Sequence, residues 1–136
     1  MFIVSGLAAT LALNEKTNIK FVIWDIGGQM SQIDPYRRRF YEGANSAFIV
    51  VDRTRQKTLS SVETWYNDLK TYVPPDIKIV LIGNKSDLIE NMAVSEDDLK
   101  QKADQFGFHY ILTSAKTGEN VNEAFIYMGY KFLEIF

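Results

Sequence analysis

A chain of 136 residues, 46% of them hydrophobic, carries enough apolar mass for one core and reads as a single domain over residues 1–136. Fifteen basic against 17 acidic residues give a formal net charge of -2, which offers no electrostatic footprint for nucleic acid or an anionic membrane. The absence of cysteine excludes disulfides, thiolate catalysis and cysteine-held zinc, and a single histidine, His109, is too little for an imidazole metal site.

At the start, Met1-Phe2-Ile3-Val4 is too short for the apolar region of a signal peptide and lacks its basic flank. No later apolar run approaches bilayer-spanning length, residue 2 is phenylalanine rather than glycine, and Leu133-Glu134-Ile135-Phe136 has no cysteine to prenylate. The expectation is a cytoplasmic chain with no direct membrane anchor, attached to membranes only through a partner. Leu7 to Leu13 and Ile19 to Asp25 flank the polar turn Asn14-Glu15-Lys16-Thr17-Asn18 and predict an antiparallel pair. Ser46 to Asp52 and Ile77 to Gly83 are rich in branched and aromatic residues and predict buried strands.

Between them, Leu59, Val62, Tyr66, Leu69 and Val73 fall on one helical face. Ser95 with Asp98 three residues on is a capping-box arrangement, opening a helix whose apolar side runs through Leu99, Ala103 and Phe106. A strand from His109 to Thr113 places His109 at a strand end, and Val121, Phe125, Met128 and Phe132 mark a last helix. Strands alternating with helices imply right-handed crossovers, hence an α/β fold with a mostly parallel sheet and helices on both faces. In such folds ligands bind beyond the carboxyl ends of the strands, so the polar groups there are the candidates for function.

Asp25, Gly27, Gly28 and Gln29 follow one strand. A carboxylate in that place suits a hydrated magnesium ion beside phosphates, glycines let backbone N–H groups approach a phosphate oxygen, and Gln29 is placed to orient a water for in-line attack. Asp-x-Gly-Gly is also an ordinary loop after a strand. Asn84-Lys85-Ser86-Asp87 and Ser114-Ala115-Lys116 follow two further strands at the same end of the sheet. An aspartate acceptor at Asp87 matches the two adjacent donors on a guanine edge, the stems of Lys85 and Lys116 are long enough to lie along a planar base, and a backbone N–H near Ala115 suits its carbonyl.

In these motifs the chain resembles the Ras superfamily of small GTPases, most of all its Rab branch. Trp24-Asp25-Ile26-Gly27-Gly28-Gln29 is similar to the family's Trp-Asp-x-Ala/Gly-Gly-Gln, Asn84-Lys85-Ser86-Asp87 to its Asn-Lys-x-Asp, and Thr113-Ser114-Ala115-Lys116 to its Thr-Ser-Ala-Lys. Tyr41-Glu42-Gly43-Ala44 and Thr64-Trp65 are Rab-like, whereas Gly27 and Ile49-Val50-Val51-Asp52 look like the Arf branch, and Met30 stands where a glutamate usually follows the glutamine. The resemblance implies a small G-domain of the P-loop NTPase kind, with GTP or GDP and Mg2+ as ligands. It also implies roles: Asp25 supporting the metal through water, Gly28 N–H touching the terminal phosphate, Gln29 positioning the hydrolytic water, and Asn84, Lys85, Asp87, Ser114, Ala115 and Lys116 holding guanine. Residues 27–43, with aromatics mixed among Arg37, Arg38 and Arg39, correspond to a switch that meets effectors or regulators. The alternative there is a solvated arginine face with the aromatics packed inward.

The family also carries Gly-x-x-x-x-Gly-Lys-Ser/Thr near its start, and no such string occurs among these 136 residues. The nearest, Gly83-Asn84-Lys85-Ser86, lacks the glycine-lysine junction. That loop cradles the phosphates and binds the metal, so catalysis by this chain alone is expected to be feeble or absent, and the domain is expected to be N-terminally incomplete. Neither Thr10, inside a predicted strand, nor Ser5 is a good match for the family's metal-touching threonine. The family's central strand would be missing too, unless Met1 to Val4 fills its place and Ser5-Gly6 jumps about 10 Å past one strand to Leu7. The absent first helix would leave one sheet face open to a partner or a second copy. Two readings follow: a Rab-like GTP-binding switch that has lost its beginning, or a non-catalytic pseudo-GTPase that works by binding partners.

Overall fold

A computed structural model describes residues 2–12, 18–26 and 41–133. Its five strands are β1 (Phe2–Ala12), β2 (Asn18–Asp25), β3 (Ser46–Asp52), β4 (Lys78–Asn84) and β5 (His109–Leu112), in the spatial order β2-β1-β3-β4-β5. β3, β4 and β5 pair in parallel, and β1 is antiparallel to both its neighbours. Every strand but β1 therefore runs the same way, and the sheet is mostly parallel as its alternation with helices requires.

The jump at Ser5-Gly6, one possible way of filling the central place, does not occur. β1 is one 11-residue strand. Phe2, Ile3 and Val4 pair with Asp25, Trp24 and Ile23 on one side and with Phe48, Ala47 and Ser46 on the other, so the opening residues do fill the gap between β2 and β3, but antiparallel. Past a register shift between Val4 and Ala9, the strand continues as the hairpin partner of Phe21 to Asn18. A bulge supplies the physical alternative to a jump. It absorbs extra residues on one strand, so a single segment can both complete the hairpin and cap the backbone groups of β2 and β3.

Alternation along the strands sorts the core onto two faces. Ala47, Ile49 and Val51 of β3 and Leu81 of β4 pack against helices α2 (Val62–Tyr72) and α3 (Glu96–Phe106) through Val62, Trp65, Leu69, Leu99 and Ala103. Phe48, Val80 and Ile82 face the other way, onto Ala124 and Met128 of α4 (Val121–Leu133). There the rings of Phe21 and Phe48 lie 5.5 and 5.2 Å from that of Phe125, and Ile19 and Ile23 are only half-buried. Among the described residues α4 is the one helix in that cluster.

The periodic stretch from Leu59 to Val73 is two helices rather than one: α1 (Gln56–Ser60) and α2 meet at Ser61. Ser60 and Ser61 both turn their hydroxyls back onto carbonyls one turn earlier, those of Gln56 and Lys57, and side chains that bond the backbone in this way bend helices. The capping box is as read, with Asp98 N–H donating to Ser95 Oγ at 3.0 Å and Ser95 N–H to Asp98 Oδ2 at 3.0 Å. Gly107, at φ 74, ends α3 in the left-handed conformation that glycine adopts without a Cβ penalty. Tyr41 is buried, donates to Asp68 and stacks on Tyr72, which anchors the segment entering β3. His109 does stand at a strand end, exposed and stacked on Tyr127 at 4.0 Å.

Gly83 sets how closely α3 approaches the sheet. A Cβ there would lie 2.6 Å from Leu99 Cδ2 and 3.1 Å from Leu112 Cδ2, and Leu99 is fully buried. Gly83→Ala is therefore expected to destabilise the domain by about 1–3 kcal/mol through overpacking, read as a lower urea midpoint at unchanged m value. A midpoint equal to that of the wild type would show that Leu99 turns aside freely.

Candidate functional site

Because β2 to β5 point the same way, their carboxyl ends bring Asp25, the Asp52-Arg53-Thr54 segment, the Asn84–Asp87 loop and the Thr113–Lys116 loop to one edge of the sheet. Asp25 is exposed at the end of β2. Gly28 and Gln29 lie outside the described residues, as does residue range 27–40 of the expected switch.

The two loops that follow β4 and β5 are tied together. The parallel ladder runs on past the strands, with Thr113 N–H donating to Gly83 O at 2.9 Å and Ser86 N–H to Thr113 O at 3.0 Å. Asn84 Oδ1 then accepts from two donors of the neighbouring loop, Ala115 N–H at 3.0 Å and Thr113 Oγ at 3.1 Å. Asp87 Oδ1 accepts from Ser114 Oγ at 2.8 Å, and among the described residues no donor meets Asp87 Oδ2. Ser114 is wholly buried, and its Oγ also accepts from Thr117 N–H at 3.1 Å. The carboxylate of Asp87 is thus tied to the residue before Ala115, and its second oxygen meets no donor among the described residues. Ala115 and Lys116 are exposed at the rim.

The turn into the first loop is made at Lys85, whose φ of 63 is unusual for a residue with a side chain. Strained backbone of this kind persists where its surroundings over-determine it. Here Leu88 N–H donates to Lys85 O at 3.1 Å, and Lys85 Nζ sits 2.8 Å from Asp52 Oδ2. Asp52 is further held by the Thr54 N–H at 2.9 Å and the Thr54 hydroxyl at 2.6 Å. Burial alone pushes the Asp52 carboxyl up, but the hydrogen bonds from Lys85 and Thr54 outweigh it and leave its pKa below the ordinary carboxylate value.

Arg53 carries structural weight that reading the sequence missed. Only 8% exposed, it donates from Nε to Val94 O at 3.2 Å and from Nη1 to Ser86 Oγ at 3.0 Å, and Ser86 Oγ donates in turn to Gly83 O at 2.9 Å. Its own carbonyl accepts the N–H groups of Ala93 and Val94, both at 2.9 Å. The guanidinium therefore pins the Asn84–Asp87 loop to the segment that precedes α3. A cation next to a strand-end aspartate was the available signal, but a surface ion pair gives the same pattern.

Among the described residues no group of three or more His, Asp or Glu side chains could hold a metal ion. Asp25 supplies a single exposed carboxylate, which fits a largely hydrated magnesium ion shared with phosphates and does not fit an all-protein cage. No described helix is long and apolar enough to cross a membrane.

The Asp52 carboxylate has a lowered folded pKa, so the stability it contributes is full above the unfolded value of 3.8 and is lost as pH falls through the folded value. The difference in urea midpoint between wild type and Asp52→Asn is expected to be constant from pH 7 to about pH 5 and to shrink below about pH 4. A difference that grew on acidification would contradict the Lys85 and Thr54 contacts. Because Lys85 is half-exposed, the ion pair itself is worth no more than about 1 kcal/mol.

Comparison with known proteins covers nearly all of the chain. The sequence profile of the Ras family matches residues 4–134. The chain is 39% identical over 107 residues to the Ras-related protein Rab-22A of Homo sapiens, covering 79% of this chain and 55% of that protein. It is 40% identical over 116 residues to the Ras-related protein Rab-2B of Dictyostelium discoideum, covering 85% and 56%. With the Ras-related protein RABA1c of Arabidopsis thaliana it shares 40% identity over 121 residues, covering 86% and 54%. The chain thus spans about half the length of the curated relatives it matches. With the strand-end loops arranged as described and the profile matched along its length, the chain belongs to the Ras family, as a Rab-like small GTPase.

Proposed function

We propose that this chain binds a guanine nucleotide through the loops after β4 and β5 and acts as a switch toward protein partners. The observation that carries the reading is the pairing of Asp87 Oδ1 with Ser114 beside the Asn84–Ala115 tie, in two adjoining loops whose Lys85 and Lys116 are exposed. Guanine offers two adjacent donors to such a carboxylate, and adenine does not. Asn84 and Ser114 act as positioning residues that hold the loops at the right spacing. The Ala115 N–H, already donated to Asn84 Oδ1, would be shared between that oxygen and the base carbonyl as a bifurcated bond. Lys85 and Lys116 would flank the plane of the base with their stems.

From the β4 and β5 ends, the edge runs across β3 and β1 to Asp25 at the end of β2, about 15 Å from the β4 end at ordinary strand spacing. An elongated ligand laid along that row would carry its phosphates toward Asp25, Gly28 and Gln29. Magnesium, when bound, supplies positive charge across the phosphate oxygens. Asp25 would hold its water shell, Gly28 N–H would donate to the terminal phosphate, and Gln29 would orient the attacking water. Contacts with effectors and regulators would be made through residues 27–43. This reading places the chain in the cytoplasm.

The 136 residues contain no Gly-x-x-x-x-Gly-Lys-Ser/Thr string, and that observation favours a second reading in which hydrolysis is impaired and the domain serves as a pseudo-GTPase interaction module. A second copy meeting the face that carries Phe21 and Phe125 belongs to this second reading.

Heating the purified chain and separating the released small molecules is expected to yield GDP or GTP. Failing that, added fluorescent GDP with magnesium should bind, with a preference over ADP of at least about 100-fold. Protein that is empty and also ignores added nucleotide would establish the interaction module instead. Asp87→Asn keeps an acceptor for the Ser114 hydroxyl but turns an amide donor toward the donors of the base. It is expected to weaken GDP binding by at least about tenfold at little change in urea midpoint. Unaltered guanine preference in that variant would remove Asp87 from its role.

A further inference from the structure

Asp87, the base reader of the proposed function, sits in a segment that the core does not hold. From Lys85 to Ala93 no residue is buried, and Leu88, Ile89, Glu90 and Asn91 are exposed. A stretch with so few buried contacts opens easily unless hydrogen bonds close it. The Lys85–Asp52 ion pair is half-exposed and screened, so it adds little.

Arg53 bonds both ends of this segment. At its entry the Arg53 N–H donates to Asn84 O at 3.1 Å and Nη1 donates to Ser86 Oγ at 3.0 Å. At its exit the Arg53 carbonyl accepts from Ala93 and Val94 N–H, and Nε donates to Val94 O at 3.2 Å. The side chain reaches Ser86 by passing β4 at Gly83, where a Cβ would lie 3.2 Å from Arg53 Cδ.

That the residue is an arginine matters for more than stability. It is 8% exposed, and among the described residues its guanidinium forms no ion pair, so a charge has been taken from water onto neutral acceptors. An apolar side chain of similar volume fills such a place without that desolvation cost. What the guanidinium adds is direction, a rigid fork with one N–H for each end of the segment. A charged donor on Ser86 Oγ also strengthens that hydroxyl's own bond to Gly83 O, 2.9 Å away, and Thr113 N–H from the neighbouring loop donates to the same oxygen. The loop of Asp87 and the loop of Ser114 are thereby referred to one carbonyl.

We infer that Arg53 is a positioning residue for guanine recognition: by clipping both ends of the segment from Ser86 to Val94, it holds the Asp87 carboxylate where it meets the exocyclic amine of the base. The inference rests on the nucleotide reading above and adds to it a determinant that acts through Ser86 rather than on the base itself.

Competition binding of GDP and inosine diphosphate, which lacks the exocyclic amine, tests it. With magnesium present, the wild type is expected to prefer GDP at least about tenfold, and Arg53→Met and Ser86→Ala are each expected to cut that preference about three- to tenfold. Because both substitutions break the same link, the double variant should lose little more than either one. A residue that only supports the fold would lower the urea midpoint or weaken both nucleotides alike, and the ratio between them would stay as in the wild type. Arg53→Lys, which keeps the charge but not the fork, serves the same purpose if Arg53→Met does not fold. An unchanged GDP preference in the folded Arg53 variant, or fully additive losses in the double variant, would overturn the assignment of Arg53 alone. A wild type that binds neither nucleotide, or both equally, would overturn the nucleotide reading and this inference with it.

Discussion

The arrangement of the candidate edge depends on the side-chain carbonyl of Asn84. By accepting from Ala115 N–H and Thr113 Oγ together, it turns two loops that are separate in sequence into one surface. Backbone pairing brings the loops near each other, but the β4–β5 ladder ends at Gly83 and Leu112 and only two further bonds extend it. Beyond that point a side chain must do what the ladder no longer does. Each such hydrogen bond is worth about 0.5–1.5 kcal/mol net. The Asp87–Ser114 bond then fixes the carboxylate to which the proposed function assigns the base.

Charge is distributed around this tie so that each ionised group has a task. Asp52 takes the ammonium of Lys85 and both donors of Thr54, which draws the lysine toward β3 while leaving half of its side chain in solvent. Arg53, next in sequence, turns inward and is satisfied by Val94 O and the Ser86 hydroxyl. Neighbouring residues with opposite fates are what strand geometry produces: one side chain lies on the edge where the ligand would sit, its successor on the face that packs under α3. The same alternation separates the apolar residues of β3 into two cores.

β1 shows how a sheet closes a gap without the usual element. A parallel strand in that place would need a crossover, whereas a hairpin strand arrives antiparallel and adjacent to β2 at no extra connection. The register shift between Val4 and Ala9 lets it serve both purposes. On the face below, α4 packs with the rings of Phe21 and Phe48, and Ile19 and Ile23 remain half-buried.

Much of the domain was legible in the linear order of residues. Branched runs located β3 and, within a residue, β4 and β5; the Ser95 capping box opened α3 where expected; and the strand-end motifs named the loops that the fold then brought together. These succeed because periodicity, caps and short motifs are properties of neighbours in the chain. The break at Ser61, the antiparallel pairing of β1 with β3, the burial of Arg53 and Ser114 and the engagement of Ala115 N–H by Asn84 were not legible. Each depends on a partner tens of residues away or on competition between a side chain and its own backbone. The sequence by itself therefore determined which groups stand at the strand ends and what chemistry they can do. Only the tertiary structure decided which of them meet, because a hydrogen bond is made or lost over less than an ångström and no pattern along the chain carries that distance.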